Sequence, residues 1–135
     1  MEVIRLNIII ENLYVGDQRD GKNFHRLGPQ PHVIIDLTGW AFDLDQNEEN
    51  LDYVIKVSRI IHKCQQAEIP CLIHCHAGID RAPFMVAAYL YVFKAYDPFE
   101  AYNKVKKERP QTIIHDDWLR RFIQFMKEDL SIKGE

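Results

Sequence analysis

Cysteine is scarce: three in 135 residues, an odd number with no framework spacing. That argues against a disulfide-stapled secreted scaffold and for a reducing compartment, the cytoplasm. Long apolar runs are also missing. The most hydrophobic stretch, Phe84 to Phe93, is too short to span a bilayer, and there is no signal-peptide pattern, so no membrane association is expected. Neither charge sign dominates: 17 Lys and Arg against 20 Asp and Glu give a net charge of −3, which offers no global attraction to nucleic acid or an acidic membrane. With six glycines and six prolines, the chain has no low-complexity segment, internal repeat or linker. Hydrophobic residues make up 47% of the chain, enough for one core, so residues 1–135 are expected to form a single domain.

The apolar pattern alternates between strand and helix. Val3 to Ile10 and Leu13 to Val15 read as strands, Val33 to Leu37 as a buried strand, and Pro70 to His74 as a short apolar strand after a helix. Four helices are predicted. Asn47 to about Ala67 places Leu51, Val54, Ile55, Ser58 and Ile61 on one face, with Glu48 and Glu49 in its first turn. A helix from Pro83 is apolar on every side. Asp97, Pro98 and Glu100 form a strong helix start, and Asp116 is expected to cap a last helix carrying Trp118, Leu119, Phe122, Ile123 and Phe125. These elements imply a single three-layer α/β domain, a short central sheet with helices on both faces.

Between the Pro70–His74 strand and the apolar helix lie Cys75 and, six positions on, Arg81, with Gly78 between them. Cys64 and Cys71 have Pro70 and Ala77 at the corresponding spacing, so only Cys75 combines the arginine with a strand-to-helix turn. Successive backbone N–H groups of His76, Ala77, Gly78, Ile79, Asp80 and Arg81, with the N-terminus of the following helix, suit an anion at their centre. The same field favours the thiolate of Cys75, the attacking form of a cysteine nucleophile. Arg81 can fork N–H donors onto a phosphoryl group.

His74, Cys75, five residues and Arg81 resemble the signature of the cysteine-based tyrosine and dual-specificity phosphatases. The compact dual-specificity branch is the most similar, and Cys75 to Pro83 looks most like the phosphatases of regenerating liver, which also carry Ala-Pro after the arginine. Asn12 to Gly16 resembles the opening strand of dual-specificity domains, Val33 to Thr38 the next core strand, and Arg109 to Thr112 the stretch before the last helix. The resemblance implies a protein phosphatase acting on phosphotyrosine, and on phosphoserine or phosphothreonine as well, through a covalent phosphocysteine. It implies no metal or other cofactor, a phosphorylated protein as partner, and nothing about oligomeric state.

The leaving oxygen needs a proton, which the family supplies from an upstream loop. Asp36, Asp43 and Asp45 are the candidates. Asp36 lies within a strand run and reads as structural. Asp43 stands 75 − 43 = 32 positions before the nucleophile, and Trp40 to Asp43 resembles Trp-Pro-Phe-Asp of the regenerating-liver enzymes. Those enzymes use the second of two aspartates, where this chain has Leu44 followed by Asp45; Asp43 is favoured, and both Asp45 and a role for neither stay open, since a capped helix N-terminus also recruits acids. Ala82 departs from the Ser or Thr of most members, whose hydroxyl helps the thiolate leave; slow hydrolysis of the intermediate is expected.

His74 reads as a strand histidine supporting the loop, and His76 faces substrate or solvent. Asp80, if turned inward, would repel a polyanion. Lys104, Lys106, Lys107 and Arg109 read as a solvated helix face or a docking surface. Two further readings are a phosphate-binding pseudophosphatase, which Ala82 keeps open, and a cysteine-type RNA 5′-triphosphatase, for which composition shows no basic groove. A zinc module built on Cys71, His74, Cys75 and His76 lacks a second ligand cluster, and neighbouring ligands on a strand point to opposite faces.

Overall fold

Four buried residues in succession, Cys71–His74, make β4, one of the two inner strands of a short sheet. The computed structural model describes residues 6–133, with side chains through residue 128. The sheet order is β1 (Asn7–Ile10), β2 (Leu13–Gly16), β4, β3 (Val33–Asp36). β1 runs antiparallel to β2, whereas β2 and β3 both lie parallel to β4. Gly16, His74 and Asp36 share one register level at the carboxyl ends of the three parallel strands. Loops leaving that edge of a parallel sheet are where an open α/β fold builds its site. The strand expected over Val3 to Ile10 is described from Asn7; its first three residues lie outside the described residues.

The predicted helices are found as α2 (Glu48–Gln66), α3 (Arg81–Phe93), α4 (Pro98–Glu108) and α5 (Asp116–Lys133). Asn47 caps α2, its side chain accepting from the Asn50 amide, and the expected face of Leu51, Val54, Ile55, Ser58 and Ile61 is buried. Every residue of α3 from Ala82 to Leu90 is buried, as its all-round apolar pattern requires. Asp97 caps α4 through the amides of Phe99 and Glu100. Asp116 is the first residue of α5 itself. Trp118, Leu119 and Phe122 enter the common core.

A fifth helix, α1 (Gln18–Leu27), was not expected. Its residues are almost all polar, with Phe24 the one buried large apolar side chain, so no 3.6-residue apolar stripe announces it. Its start is held by a capping box: the Asp20 amide donates to Asp17 and the Asp17 amide to Asp20, both at 2.8 Å. Gly21 lets it lie close on β4, where a Cβ would stand 2.6 Å from Nε2 of His74. α1 forms one outer layer, and α3 packs on the opposite face of the sheet with α2 and α4 beside it. Among the described residues no helix is long and apolar enough to cross a membrane.

Candidate active site

The loop from Cys75 to Arg81 is shaped by what holds its carbonyls. His76 O accepts from the Gln18 amide at 3.1 Å and Ile79 O from the Ile113 amide at 2.8 Å. Asp80 O accepts from the Phe84 amide at 3.2 Å. Gly78 O accepts from Nε of Arg109 at 2.6 Å, and Ala77 O from its Nη2 at 3.5 Å. With the carbonyls engaged outside the loop, the amides of His76 to Arg81 have no protein acceptor among the described residues. Such a row of free donors is an anion cradle. Gly78 makes the bend at φ +69°; a Cβ there would meet Gly16 O at 2.5 Å and Nη2 of Arg109 at 2.6 Å.

Cys75 sits at the base of this cradle, 2% exposed, its Sγ 3.5 Å from the Ala82 amide in the first turn of α3. The other two thiols are of a different kind. Burial pushes Cys71 up strongly, with Cys64 beside it adding to the effect, and burial raises Cys64 as well. Both are suited to remaining thiols in the core. Cys71 thus neighbours Cys64, while His74 lies 3.8 Å from Asp36 and His76 bonds Gln18 at 3.0 Å. The four residues of the zinc reading therefore turn to separate partners, and among the described residues no three metal-binding side chains converge.

Arg81 is engaged by the protein through one nitrogen. Its Nη1 donates to the carbonyls of Leu37 at 3.0 Å, Thr38 at 3.0 Å and Trp40 at 2.8 Å, the segment that leaves β3. Its Nε and Nη2 have no protein partner among the described residues. The guanidinium therefore ties the candidate acid segment to the loop with one nitrogen and keeps two donors for a phosphoryl group.

That segment is further pinned by aromatic packing. Phe42 is fully buried, stacked on Phe84 at 5.0 Å and on Trp40 at 4.5 Å, with Trp118 edge-on. Asp43, the next residue, is exposed and its carboxylate has no partner among the described residues. Asp45 is committed to the start of α2, accepting from Nδ2 of Asn47 at 3.1 Å while its carbonyl accepts from Asn50. Asp36 is the last residue of β3 with an exposed side chain, and accepts from both the amide and the hydroxyl of Thr38. Burial pushes its carboxyl up, but the Thr38 hydrogen bonds and the His74 and Arg81 charges outweigh that and hold it below the usual carboxylate value. Its carboxylate is thus engaged at the turn that leaves β3.

Two residues that hold the loop carry no local signal in the sequence. Arg109, taken there as part of a solvated or docking face, is 2% exposed beneath the catalytic loop, also bonding Oδ1 of Asn7 at 2.8 Å. Burial draws its guanidinium down, opposed by the charges of Asp20, Asp17 and Cys75. Lys106 likewise turns to the carbonyls of Pro110 and Thr112, and Lys104 faces Glu108 at 3.7 Å. The second is His115, whose Nε2 lies 2.6 Å from Oδ1 of Asp80 while its ring stacks on Trp118 at 3.8 Å. Asp80 is thereby drawn toward α5, and it makes no side-chain cap on α3. No local signal links residues 35 positions apart.

Similarity to known proteins agrees with this geometry. The dual specificity phosphatase catalytic domain matches residues 22–128. A protein of Invertebrate iridescent virus 6 named as a tyrosine phosphatase is 30% identical over 128 residues, covering 87% of this chain and 89% of that protein. Dual specificity protein phosphatase 22-A of Danio rerio is 31% identical over 118 residues, covering 77% of this chain and 57% of its own length. Among solved structures, a leucine rich repeat and phosphatase domain containing protein from Entamoeba histolytica superposes with a TM-score of 0.75 at 18% identity, over 98% of this chain and 96% of that one. Human DUSP28(Y102H) does so with 0.74 at 19% identity, over 95% and 97%. With the family match spanning most of the chain and the cradle built around Cys75 and Arg81, the chain belongs to the dual specificity phosphatases.

Proposed function

We propose that the protein hydrolyses phosphotyrosine, and phosphoserine or phosphothreonine, in protein substrates by way of a phosphocysteine at Cys75. The observation that carries this reading is the loop whose carbonyls are all engaged outside, leaving six amides and two Arg81 nitrogens around one thiol. The Cys75 thiolate attacks phosphorus, a P–S bond forms, and the ester P–O bond breaks as Asp43 protonates the leaving oxygen. Water then attacks the phosphocysteine, Asp43 takes its proton, and the P–S bond breaks to give phosphate and the thiolate. The loop amides and Arg81 hold the charge that builds on the equatorial oxygens in both steps. Asp43 is favoured over Asp45 because it follows the anchored Phe42 and is free, whereas Asp45 is held at the α2 cap. The three unpaired thiols fit a reducing compartment.

The test is pre-steady-state release of nitrophenol from p-nitrophenyl phosphate, with phosphate followed in parallel. A stoichiometric burst that vanishes in Cys75→Ser is expected. Because Ala82 offers the departing sulfur an amide at 3.5 Å but no hydroxyl, the steady state after the burst should be slow. Ala82→Ser should raise it by about tenfold, the effect of one added hydrogen bond to a charged group. If turnover in that variant is unchanged, hydrolysis of the intermediate is not limited in this way. No nitrophenol release above the Cys75→Ser control would favour a phosphate-binding pseudophosphatase, a second reading that Ala82 supports.

Asp43→Ala should lower kcat/KM, which reports formation of the phosphocysteine and not its slow hydrolysis, by about a hundredfold for an alkyl phosphate such as a phosphoserine peptide. An activated aryl phosphate, whose leaving group needs little protonation, should lose much less. Equal losses on both would remove Asp43 from the role of acid.

A further inference from the structure

From the phosphoprotein reading above, on which this step rests, we infer that α1 is a docking wall for acidic residues flanking the phosphorylated residue of the substrate. The helix begins at the catalytic loop itself: the Gln18 amide donates to His76 O, and the Gln18 side chain meets Nδ1 of His76 at 3.0 Å. From that contact Gln18, Lys22 and Arg26 follow at i, i+4 and i+8 along one face, with Arg19 beside them. Arg19, Lys22 and Arg26 are all exposed, and none has an ion pair or side-chain hydrogen bond among the described residues. They line a depression of about 440 Å³ with Gln18 and Asn23. Lys22, Arg26 and His25 also border an adjoining cleft of about 650 Å³ that reaches His74 and Asp36. Among the described residues Asp36 is the single carboxylate lining either one, and its Oδ1 already accepts from Thr38.

This concentration of unpaired positive charge stands out in a chain of net charge −3. It is also one-sided. The opposite end of the loop, at Arg81, carries the segment leading to exposed Asp43, Asp45, Glu48 and Glu49. A uniformly anionic strand such as RNA would gain on the α1 side and be repelled on the other. A peptide acidic on one side of its phosphoresidue and neutral or basic on the other complements both. From Gln18 to Arg26 the stripe runs roughly 12 Å at 1.5 Å per residue. That is the length of about four extended peptide residues, so the recognised acids lie within about four positions of the phosphorylated one.

The experiment is fluorescence anisotropy of Cys75→Ser with labelled phosphotyrosine peptides bearing three acidic or three neutral residues within four positions of the phosphotyrosine. Binding is read without turnover, so failure of hydrolysis would strike the catalytic reading and leave this measurement valid. The acidic peptide should bind about tenfold more tightly at low salt, three rim pairs each contributing a small factor. The advantage should shrink at high salt. Adding Lys22→Glu and Arg26→Glu should invert the preference toward a lysine-flanked phosphopeptide, with the melting temperature confirming the fold. Equal affinity for the two peptides, a preference that survives the charge reversal, or tighter α1-dependent binding of a 5′-triphosphorylated oligonucleotide would each overturn the assignment.

Discussion

Arg109→Met should cost about 3–5 kcal/mol of stability, the loss seen when one partner is removed from a buried charged network. Methionine fills much of the same volume with an apolar chain. What it cannot do is serve the acceptors that converge on the guanidinium: Gly78 O at 2.6 Å, Oδ1 of Asn7 at 2.8 Å, and the more distant Val15 O and Ala77 O. It would also strip the positive charge from beside Asp20, which is 1% exposed, and Asp17, whose charges both favour the guanidinium. Against a total stability of about 5–15 kcal/mol that is a large fraction, and the midpoint of thermal unfolding should fall by roughly 10 °C or more. The damage should reach the site as well, because Gly78 O is one of the carbonyls whose outward turn leaves the loop amides free. Protection of the fold by phosphate or vanadate should therefore weaken in the variant. Arg109→Lys keeps the charge but not the fork, and should fall between the two. A melting temperature within a degree or two of the parent would show that Arg109 does not brace the loop.

The sequence made one half of this site readable and hid the other for physical reasons. Cys75, Gly78 and Arg81 lie within seven residues, so the loop's chemistry is local, and the strand before it and the helix after it are strongly apolar. The bracing of that loop is not local. Arg109 closes a run of basic residues that on pattern alone belongs in solvent, and only the tertiary fold brings it beneath Gly78, 31 positions away. The orientation of Asp80 is decided in the same way by His115. α1 was missed because its stability comes from a capping box and from Gly21 seated on His74, not from an apolar stripe. The Asp17 and Asp20 pair, three residues apart, was the one local signal that could have revealed it. The missed helix also changes the charge picture: composition shows no basic groove, yet the structure gathers Arg19, Lys22 and Arg26 along one wall.

Arg81→Lys should lower turnover by about a thousandfold while leaving the fold intact. A guanidinium can hold the carbonyls of Leu37, Thr38 and Trp40 through Nη1 and still present Nε and Nη2 to the phosphoryl group; a single ammonium can serve one side or the other. Loss of a preorganised donor to developing charge costs about a hundredfold to a thousandfold. Displacing the segment that carries Asp43 adds a positional penalty, since a shift of about 1 Å can cost a further hundredfold. Whether both losses operate is decided by combining variants. If Arg81 places the acid as well as binding the phosphoryl group, Asp43→Ala in the Arg81→Lys background should cost far less than the hundredfold expected in the parent, because the acid is already out of position. If the two effects multiply in full, Arg81 acts on the phosphoryl group alone, and the three carbonyl hydrogen bonds are structural contacts without influence on proton transfer.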